Sequence, residues 1–168
     1  MVTFNLSYTS PINPPGTDVV LTKSQIWTCM QRKVRHAEQF VSAIEKTEVL
    51  SESVSGGVVL LQRRLTFAPG GHPAGARHAE ETCKFYEPCR VDFVGADGSV
   101  ITNVVSLGPS GREDDLHYTY VFEWRHPGLE AGSEAAARQE EADWKVAKIA
   151  VNSTIETMRR LVKEGTVG

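Results

Sequence analysis

The large hydrophobic side chains of residues 115–126, DLHYTYVFEWRH, fall on every second position. The alternating set is Leu116, Tyr118, Tyr120, Phe122 and Trp124, and most positions between them are polar. Successive side chains of a strand point to opposite faces, so the segment is predicted to be a half-buried strand with one aromatic face. A buried phenol needs a hydrogen-bond partner. The two tyrosines therefore raise the question of what lies on the inner side of the sheet.

The same two-residue period runs from Thr47 to Arg125 and is interrupted by residues typical of hairpin turns, such as Gly56-Gly57. It predicts an antiparallel meander with strands at about 47–54, 58–68, 80–87, 90–95, 99–107 and 115–125. The segment PGGHPAGARH, residues 69–78, is predicted to be a flexible loop. Another strand is predicted from Val2 to Ile12, because Phe4, Leu6 and Tyr8 alternate and prolines follow.

Two segments with helical spacing follow the first strand. In LTKSQIW, Thr22 and Gln25 form a capping box, and the helix that starts there carries Ile26, Trp27, Met30, Val34 and Ala37. A second apolar set predicts a further short helix, with Ala37, Phe40, Val41 and Ile44.

Residues 134–164 are predicted to form a long amphipathic helix that Gly165 ends. Its apolar positions at three- and four-residue steps include Trp144, Ala147, Val151, Ile155 and Met158. A strand, two short helices, six strands and a long helix define an α+β fold in which the long C-terminal helix covers one face of a curved antiparallel sheet. Such a sheet leaves a hollow under the helix, and Tyr118 and Tyr120 are predicted to face it, where a ligand or water satisfies their hydroxyls.

Composition limits the classes of partner. The 168 residues, 1–168, fit one domain, and the net charge of −3 argues against binding a nucleic acid. Three cysteines make no complete disulfide framework, and the opening residues MVTFNLSYTS lack the features of a signal peptide, so we expect an intracellular, cytoplasmic protein. The longest apolar run, Val58 to Leu61, is too short for a membrane span.

Four stretches of the sequence together resemble the AtaL-like family of the START-like, helix-grip superfamily. These are LTKSQIW, RRLTF, FYEPCRVDF and NSTIETMRRLVKEG, and the likeness spans nearly the whole chain. The resemblance implies a sheet of about seven strands wrapped around the C-terminal helix. It also implies a cavity for an apolar molecule and a place in secondary metabolism, as in fungal gene clusters. It brings no catalytic signature with it.

Candidate site residues are found from the alternation of side chains along each strand, which we call parity. A polar side chain on the apolar face of a strand either has a hydrogen-bond partner in the protein or lines a cavity. Arg63 shares its face with Leu61 and Leu65, Glu81 with Phe85, and Asn103 with Val105. The catalytic candidates are Arg63, Glu81, Tyr118 and Tyr120. The candidate ligand-binding residues are Trp27, Met30, Phe67, Phe85, Asn103, Phe122, Trp124, Trp144, Val151 and Ile155.

Each candidate also has a structural interpretation. Arg63 and Glu81 can form a structural ion pair, and Asn103 can be a satisfied core amide. The two tyrosines can be cavity wall without chemistry. Trp27 and Trp144, at helical core positions, can be packing residues or a cavity lid.

One group of residues has side chains that all can bind zinc. They are His72, His78, Glu80, Glu81 and Cys83. Their spacing matches no familiar zinc site, so no metal is predicted.

Two hypotheses follow from these residues and from the resemblance. The first is a cofactor-independent cyclase, isomerase or dehydratase that folds a hydrophobic, polyketide-like intermediate in the cavity. The second is a non-catalytic carrier of a hydrophobic metabolite or lipid. A weaker third is a structural partner in a biosynthetic complex.

Overall fold

The computed structural model describes residues 1–72 and 75–168. Its seven strands are β1 Val2–Pro11, β2 Ile44–Ser55, β3 Val58–Phe67, β4 His78–Tyr86, β5 Arg90–Gly95, β6 Val100–Leu107 and β7 Leu116–His126. Its helices are α1 Lys23–Arg35 and α2 Glu134–Lys163, with a single 3₁₀ turn at Ala37–Gln39. Pro73 and Ala74 of the predicted loop 69–78 lie outside the described residues.

All seven strands form one antiparallel sheet in the order β1-β7-β6-β5-β4-β3-β2. The predicted strands agree with the observed ones to within a few residues. Strand β7 lies between β1 and β6, so its aromatic side chains are central to one half of the sheet. The curved antiparallel sheet and the long C-terminal helix confirm the predicted α+β fold.

Helix α1 begins as the sequence predicts. Thr22 Oγ1 accepts a hydrogen bond from the Gln25 backbone N–H at 3.2 Å, and Gln25 Oε1 accepts one from the Thr22 N–H at 3.0 Å. This capping box satisfies two N–H groups that a helix start otherwise leaves without partners. The buried face of α1 includes Ile26, Trp27 and Met30, which enter the main core.

The second short helix is present, but it is shorter than its spacing predicts. Residues 37–39 form only a 3₁₀ turn, and Ile44 is already the first residue of β2, where it is paired with Phe67 of β3. Ala37 and Phe40 are both buried, as the helical spacing required, but a spacing of three fits a 3₁₀ turn as well as a helix. From Ile44 onward, hydrogen bonding to β3 determines the conformation, and the helical spacing of the apolar residues does not.

Helix α2 starts at the N-cap Ser133, whose Oγ accepts from the Ala136 N–H at 3.1 Å. It packs on β1 and β7. Its buried positions are Ala136, Asp143, Ala147, Val151, Thr154, Ile155, Met158 and Leu161. In the part of the chain that the structure describes, no helix combines the length and the apolar character that crossing a bilayer requires.

The predicted core position of Trp144 is wrong. Its side chain lies on the outer side of α2 and is 44% exposed. The buried stripe instead contains Asp143, one residue earlier, which accepts hydrogen bonds from Gln139 and lies 2.8 Å from His126 Nε2. Asp143 is buried because its carboxylate has hydrogen-bonding partners there. Hydrophobicity alone would have predicted Trp144 at the buried position.

Candidate functional site

The aromatic face of β7 points into the protein. Tyr118 and Tyr120 are 0% and 3% exposed, and Phe122 is also buried. Neighbouring rings along the strand contact one another, with centroids 5.4 Å apart for Tyr118–Tyr120 and 4.3 Å apart for Phe122–Trp124. The predicted half-buried strand with one aromatic face is confirmed.

Protein groups from three other elements contact the two phenol hydroxyls. The Tyr120 hydroxyl lies 2.6 Å from Thr154 Oγ1 of α2 and accepts a hydrogen bond from Lys33 Nζ of α1 at 2.5 Å. The Tyr118 hydroxyl is 3.4 Å from Asn103 Oδ1 of β6. The expectation that a ligand or water satisfies these hydroxyls therefore does not hold in this structure. The interior instead contains a connected polar cluster, which we call the inner cluster: Lys33, Asn103, Tyr118, Tyr120 and Thr154.

Lys33 and Thr154 are the two residues of this cluster that sequence reasoning missed, and Lys33 is the charged one. The chain has seven lysines, all within the described residues, and Lys33 alone is buried. It follows Ile26 by seven residues and Met30 by three, which places it on the apolar face of α1. A lysine at the i+7 position of a core stripe was the available signal.

The surroundings of Lys33 disfavour its charged form. Its Nζ donates to Asn103 Oδ1 at 2.9 Å. The faces of the Tyr120 and Phe93 rings, centred 4.3 and 5.2 Å from Nζ, attract an ammonium, but they do not replace the water that burial removes. Burial, and next the neighbouring Arg63 guanidinium, lower the pKa of Lys33 to about 7. Near neutral pH a substantial fraction of this amine is unprotonated.

Asn103 presents an amide whose donor side has no partner. It stands opposite Tyr120 in the β6–β7 ladder and is 1% exposed. Its Oδ1 accepts from Lys33 and faces the Tyr118 hydroxyl, which fixes the orientation of the amide. Its Nδ2 is buried and has no hydrogen-bond partner among the described residues. A buried unsatisfied N–H₂ group is costly, and an oxygen of a bound molecule would satisfy it.

Arg63 faces inward, as its parity predicts, and all of its nitrogen atoms donate to protein oxygens. Nε and Nη2 donate to Glu81 Oε2 at 2.9 and 2.7 Å, while Nη1 donates to the carbonyls of Lys33 and Val34 at 3.1 and 2.8 Å. Those carbonyls belong to the last turn of α1, which lacks internal partners for them. The pairing of Arg63 with Glu81 matches the structural interpretation, and it also joins α1 to the sheet.

Burial sets the protonation states of the remaining groups. It raises the pKa of both Tyr118 and Tyr120, the neighbouring phenol adding to the effect at Tyr118, so both keep their protons at neutral pH. Burial also raises the pKa of the Cys83 thiol to about 12, which leaves it un-ionised. The inner cluster thus combines neutral proton donors, a free amide donor and an amine, a set that can hold and polarise a carbonyl.

The candidate ligand-binding residues divide into three groups. Buried in the main core are Trp27, Met30, Phe85, Phe122, Val151 and Ile155, with Trp124 packed against it. Phe67 packs instead against a separate small cluster that includes Ile44 and Leu65. Trp144 lies at the surface, as described above.

A pocket of about 360 Å³ lies where α1 meets the ends of β2, β3 and β4. Its walls include Trp27, Gln31, Arg35, Glu52 and Phe85. The Trp27 Nε1–H group is buried, and within residues 1–72 and 75–168 it has no hydrogen-bond partner. Trp27 and Phe85 pack edge to face, and both also belong to the main core, so this pair stands between the pocket and the interior.

The residues considered for a metal do not come together. Among residues 1–72 and 75–168, no group of three or more histidine, cysteine, aspartate or glutamate side chains is placed to hold a metal ion. Glu81 is engaged by Arg63, and Glu80 by Arg64 at 2.7 Å.

Solved structures with the same fold define the class to which this chain belongs. The Zhui aromatase/cyclase from Streptomyces sp. R1128 matches with a TM-score of 0.60 at 16% identity, covering 96% of each chain. A START superfamily protein from Mycobacterium smegmatis matches with a TM-score of 0.57 at 12% identity, covering 95% of this chain and 97% of that one. The fold is therefore that of the START-like, helix-grip class.

Sequence comparison identifies the family within this class. Residues 6–165 match the AtaL family, described as acetylaranotin biosynthesis cluster protein L. The acetylaranotin biosynthesis cluster protein L of Aspergillus terreus (strain NIH 2624 / FGSC A1156) is 32% identical over 163 residues, which cover 97% of this chain and 92% of that protein. The chain belongs to the AtaL family, as the sequence resemblance predicted.

Proposed function

We propose that this protein is a cofactor-independent enzyme of secondary-metabolite biosynthesis that cyclises, isomerises or dehydrates a hydrophobic, polyketide-like intermediate. The substrate is held between the sheet and α2, against the aromatic face of β7. The observation that carries the proposal is the inner cluster: a lysine, an asparagine and two tyrosines, all buried, converge on one region of a largely apolar interior.

The chemistry asked of this site is modest. Closing a ring between two parts of one molecule requires that the reacting carbons be held close together and that a carbonyl be polarised. Asn103 Nδ2 is a free donor for a carbonyl oxygen. Tyr118 and Tyr120 keep their protons at neutral pH and act as acids.

Family and fold point to the same area of metabolism. The fungal relative at 32% identity is named for the biosynthesis of acetylaranotin, a role in secondary metabolism that we extend to this chain. The Streptomyces structure of the same fold is an aromatase/cyclase, which supports a ring-forming reaction and a polyketide-like substrate.

A carrier function is the second candidate, and one observation favours it. Arg63 and Glu81, two of the four catalytic candidates, satisfy each other, and Arg63 also binds the end of α1. A site whose charged groups are engaged in this way can bind a hydrophobic metabolite without transforming it.

The test is to incubate the purified protein with a metabolite extract from its source and to analyse protein and solution by mass spectrometry. The enzyme proposal predicts a retained compound and, in solution, a product whose mass is unchanged or lower by one water. Tyr120→Phe removes the acid and should lower the rate of product formation about 10²-fold or more.

Tyr8→Phe is the matched control, because Tyr8 lies opposite Tyr120 on β1 and is only half-buried. It should convert the compound at the wild-type rate. A compound that is retained by the wild type but never altered would contradict the enzyme proposal and favour the carrier.

A further inference from the structure

Lys33 stands in an environment that suits a nucleophilic amine better than a structural cation. Its two hydrogen-bond partners, Asn103 Oδ1 and the Tyr120 hydroxyl, are both neutral. The nearby carboxylate of Glu81 is bound by Arg63, whose guanidinium repels an ammonium. A buried ammonium without a direct carboxylate partner is costly, so the uncharged amine is favoured. An uncharged amine has a free electron pair and can attack a carbonyl carbon.

Asn103 supplies an independent indication of what the amine meets. Its Oδ1 accepts from Lys33, while the Nδ2 of the same amide is buried and has no partner. An oxygen that accepts from Nδ2 would lie within a few ångströms of Lys33 Nζ, because both contacts are made by one planar amide group. A ketone fits both atoms, with its oxygen on Nδ2 and its carbon toward Nζ.

We propose that Lys33 is a carbonyl-reactive amine, which binds hydrophobic ketones and β-diketones through a reversible imine while Asn103 Nδ2 holds the carbonyl oxygen. This inference deepens the proposed function and rests on it for the nature of the natural ligand. Polyketide-like chains carry such carbonyl groups in series, so the ligand class and the amine are chemically matched.

The reaction balances with the groups present and needs no oxidant or reductant. The electron pair of Nζ forms the N–C bond, and the C=O π pair moves to the oxygen. One nitrogen proton passes to that oxygen, and the Tyr120 hydroxyl, 2.5 Å from Nζ, is placed to relay it. The second nitrogen proton and the hydroxyl group leave as water, giving the imine. Addition of water reverses every step and releases the ligand.

The route to Lys33 runs from the pocket beside α1. Trp27 and Phe85 line that pocket and also belong to the core that surrounds the inner cluster. An edge-to-face pair with centroids 6.3 Å apart can part by rotation of the side chains. The unpaired Trp27 Nε1–H offers an entering carbonyl its first donor.

Benzoylacetone, a hydrophobic β-diketone, tests the inference directly because its condensation with an amine gives a stable conjugated enaminone. The wild-type protein is incubated with it near neutral pH, and peptides are mapped by mass spectrometry. We expect a mass gain of one benzoylacetone less one water at Lys33, at a level about tenfold or more above that at each of the other lysines. Peptide mapping also separates Lys33 from the α-amino group of Met1.

Three comparisons make the result decisive. Lys84→Met, which removes a half-buried lysine on β4, should leave the labelling of Lys33 unchanged. Asn103→Leu keeps the amine but removes the amide donor, and should slow labelling about tenfold or more. Unfolding the wild type in urea should abolish the selectivity for Lys33.

An unmodified Lys33 in the folded protein, or a label spread evenly over the lysines, would overturn the inference. Its failure is distinct from failure of the proposed function. If a metabolite is converted but Lys33 carries no adduct, the imine proposal is contradicted and the proposed function stands. If Lys33 is labelled selectively but no metabolite is converted, the reactive lysine is supported and the enzyme proposal is contradicted.

Discussion

At the scale of single residues, the main feature is a lysine held in a place where its charge is disfavoured. Burial lowers the pKa of Lys33 to about 7, and Arg63 acts in the same direction, while Glu81 and Cys83 act against it. In the unfolded chain a lysine has a pKa of about 10.4. Above about pH 7 the folded protein therefore holds one proton fewer at this position than the unfolded chain does.

This difference predicts a pH dependence of stability. Because the unfolded state binds more protons above about pH 7, the contribution of Lys33 to the free energy of unfolding rises with pH there, by up to about 1.4 kcal/mol per pH unit. Below that pH both states are protonated and the slope disappears. The measurement is urea unfolding of the wild type and of Lys33→Met between about pH 6 and pH 8.5. The difference between the two proteins should change with pH only in the upper part of that range.

The difference between the two proteins is the informative quantity, because the other titrating groups are common to both. The raised pKa values of the Cys29 and Cys83 thiols lower stability as the pH approaches and passes the ordinary thiol value, but both thiols are present in the two proteins, so this contribution largely cancels in the difference. Parallel curves for the two proteins across the whole range would show that Lys33 stays charged in the folded state.

Parity in the sequence predicted the inward side chains of Arg63, Asn103, Tyr118 and Tyr120, because a strand alternates faces whatever its neighbours are. It could not predict their partners, since these come from elements far away in the sequence. Lys33 is separated from Asn103 by 70 positions, and Tyr120 from Thr154 by 34. Which donor meets which acceptor is decided by the docking of α1 and α2 against the sheet.

At the scale of elements, Arg63 connects three of them. Its guanidinium binds Glu81 across the β3–β4 ladder and the last carbonyls of α1. The side chains of this pair are 5% and 18% exposed. The next pair along the same two strands, Arg64 and Glu80, points outward, and its side chains are 45% and 53% exposed.

These neighbouring pairs give a matched prediction. Glu81→Gln leaves a buried guanidinium without its carboxylate and should lower the free energy of unfolding by about 2–4 kcal/mol. Glu80→Gln changes a solvent-screened pair and should cost less than about 1 kcal/mol. Urea unfolding of both variants measures the two losses. Equal losses would mean that the inward pair is not what fixes α1 to the sheet.

Two details that the sequence predicted incorrectly, the extent of the second helix and the position of Trp144, share one cause. Helical spacing predicted a second helix through Ile44 and a core position for Trp144, whereas the structure has a 3₁₀ turn and an exposed side chain. In both places partners from elsewhere decide the outcome: Phe67 of β3 pairs with Ile44, and His126 of β7 meets Asp143. Hydrophobic periodicity records the tendency of a segment but not the groups that it will meet.

At the scale of the whole molecule, a continuous antiparallel sheet and α2 bring the inner cluster together from both ends of the chain. Helix α1 supplies Lys33, β6 and β7 supply Asn103 and the tyrosines, and α2 supplies Thr154. The chain belongs to the AtaL family, and its fold is shared with solved structures such as the Streptomyces aromatase/cyclase. The central claim is that a metabolite binds there and engages the free amide of Asn103.

The most direct test observes that amide by NMR. The chain contains four asparagines, so protein labelled with ¹⁵N in asparagine alone gives four side-chain amide groups, and comparison with Asn103→Leu assigns the one of interest. On titration with the compound that the protein retains from its source extract, the Asn103 amide should shift, while that of the exposed Asn5 on β1 should stay in place. An Asn103 amide that does not move while the compound is bound would place the ligand outside the inner cluster and contradict the account.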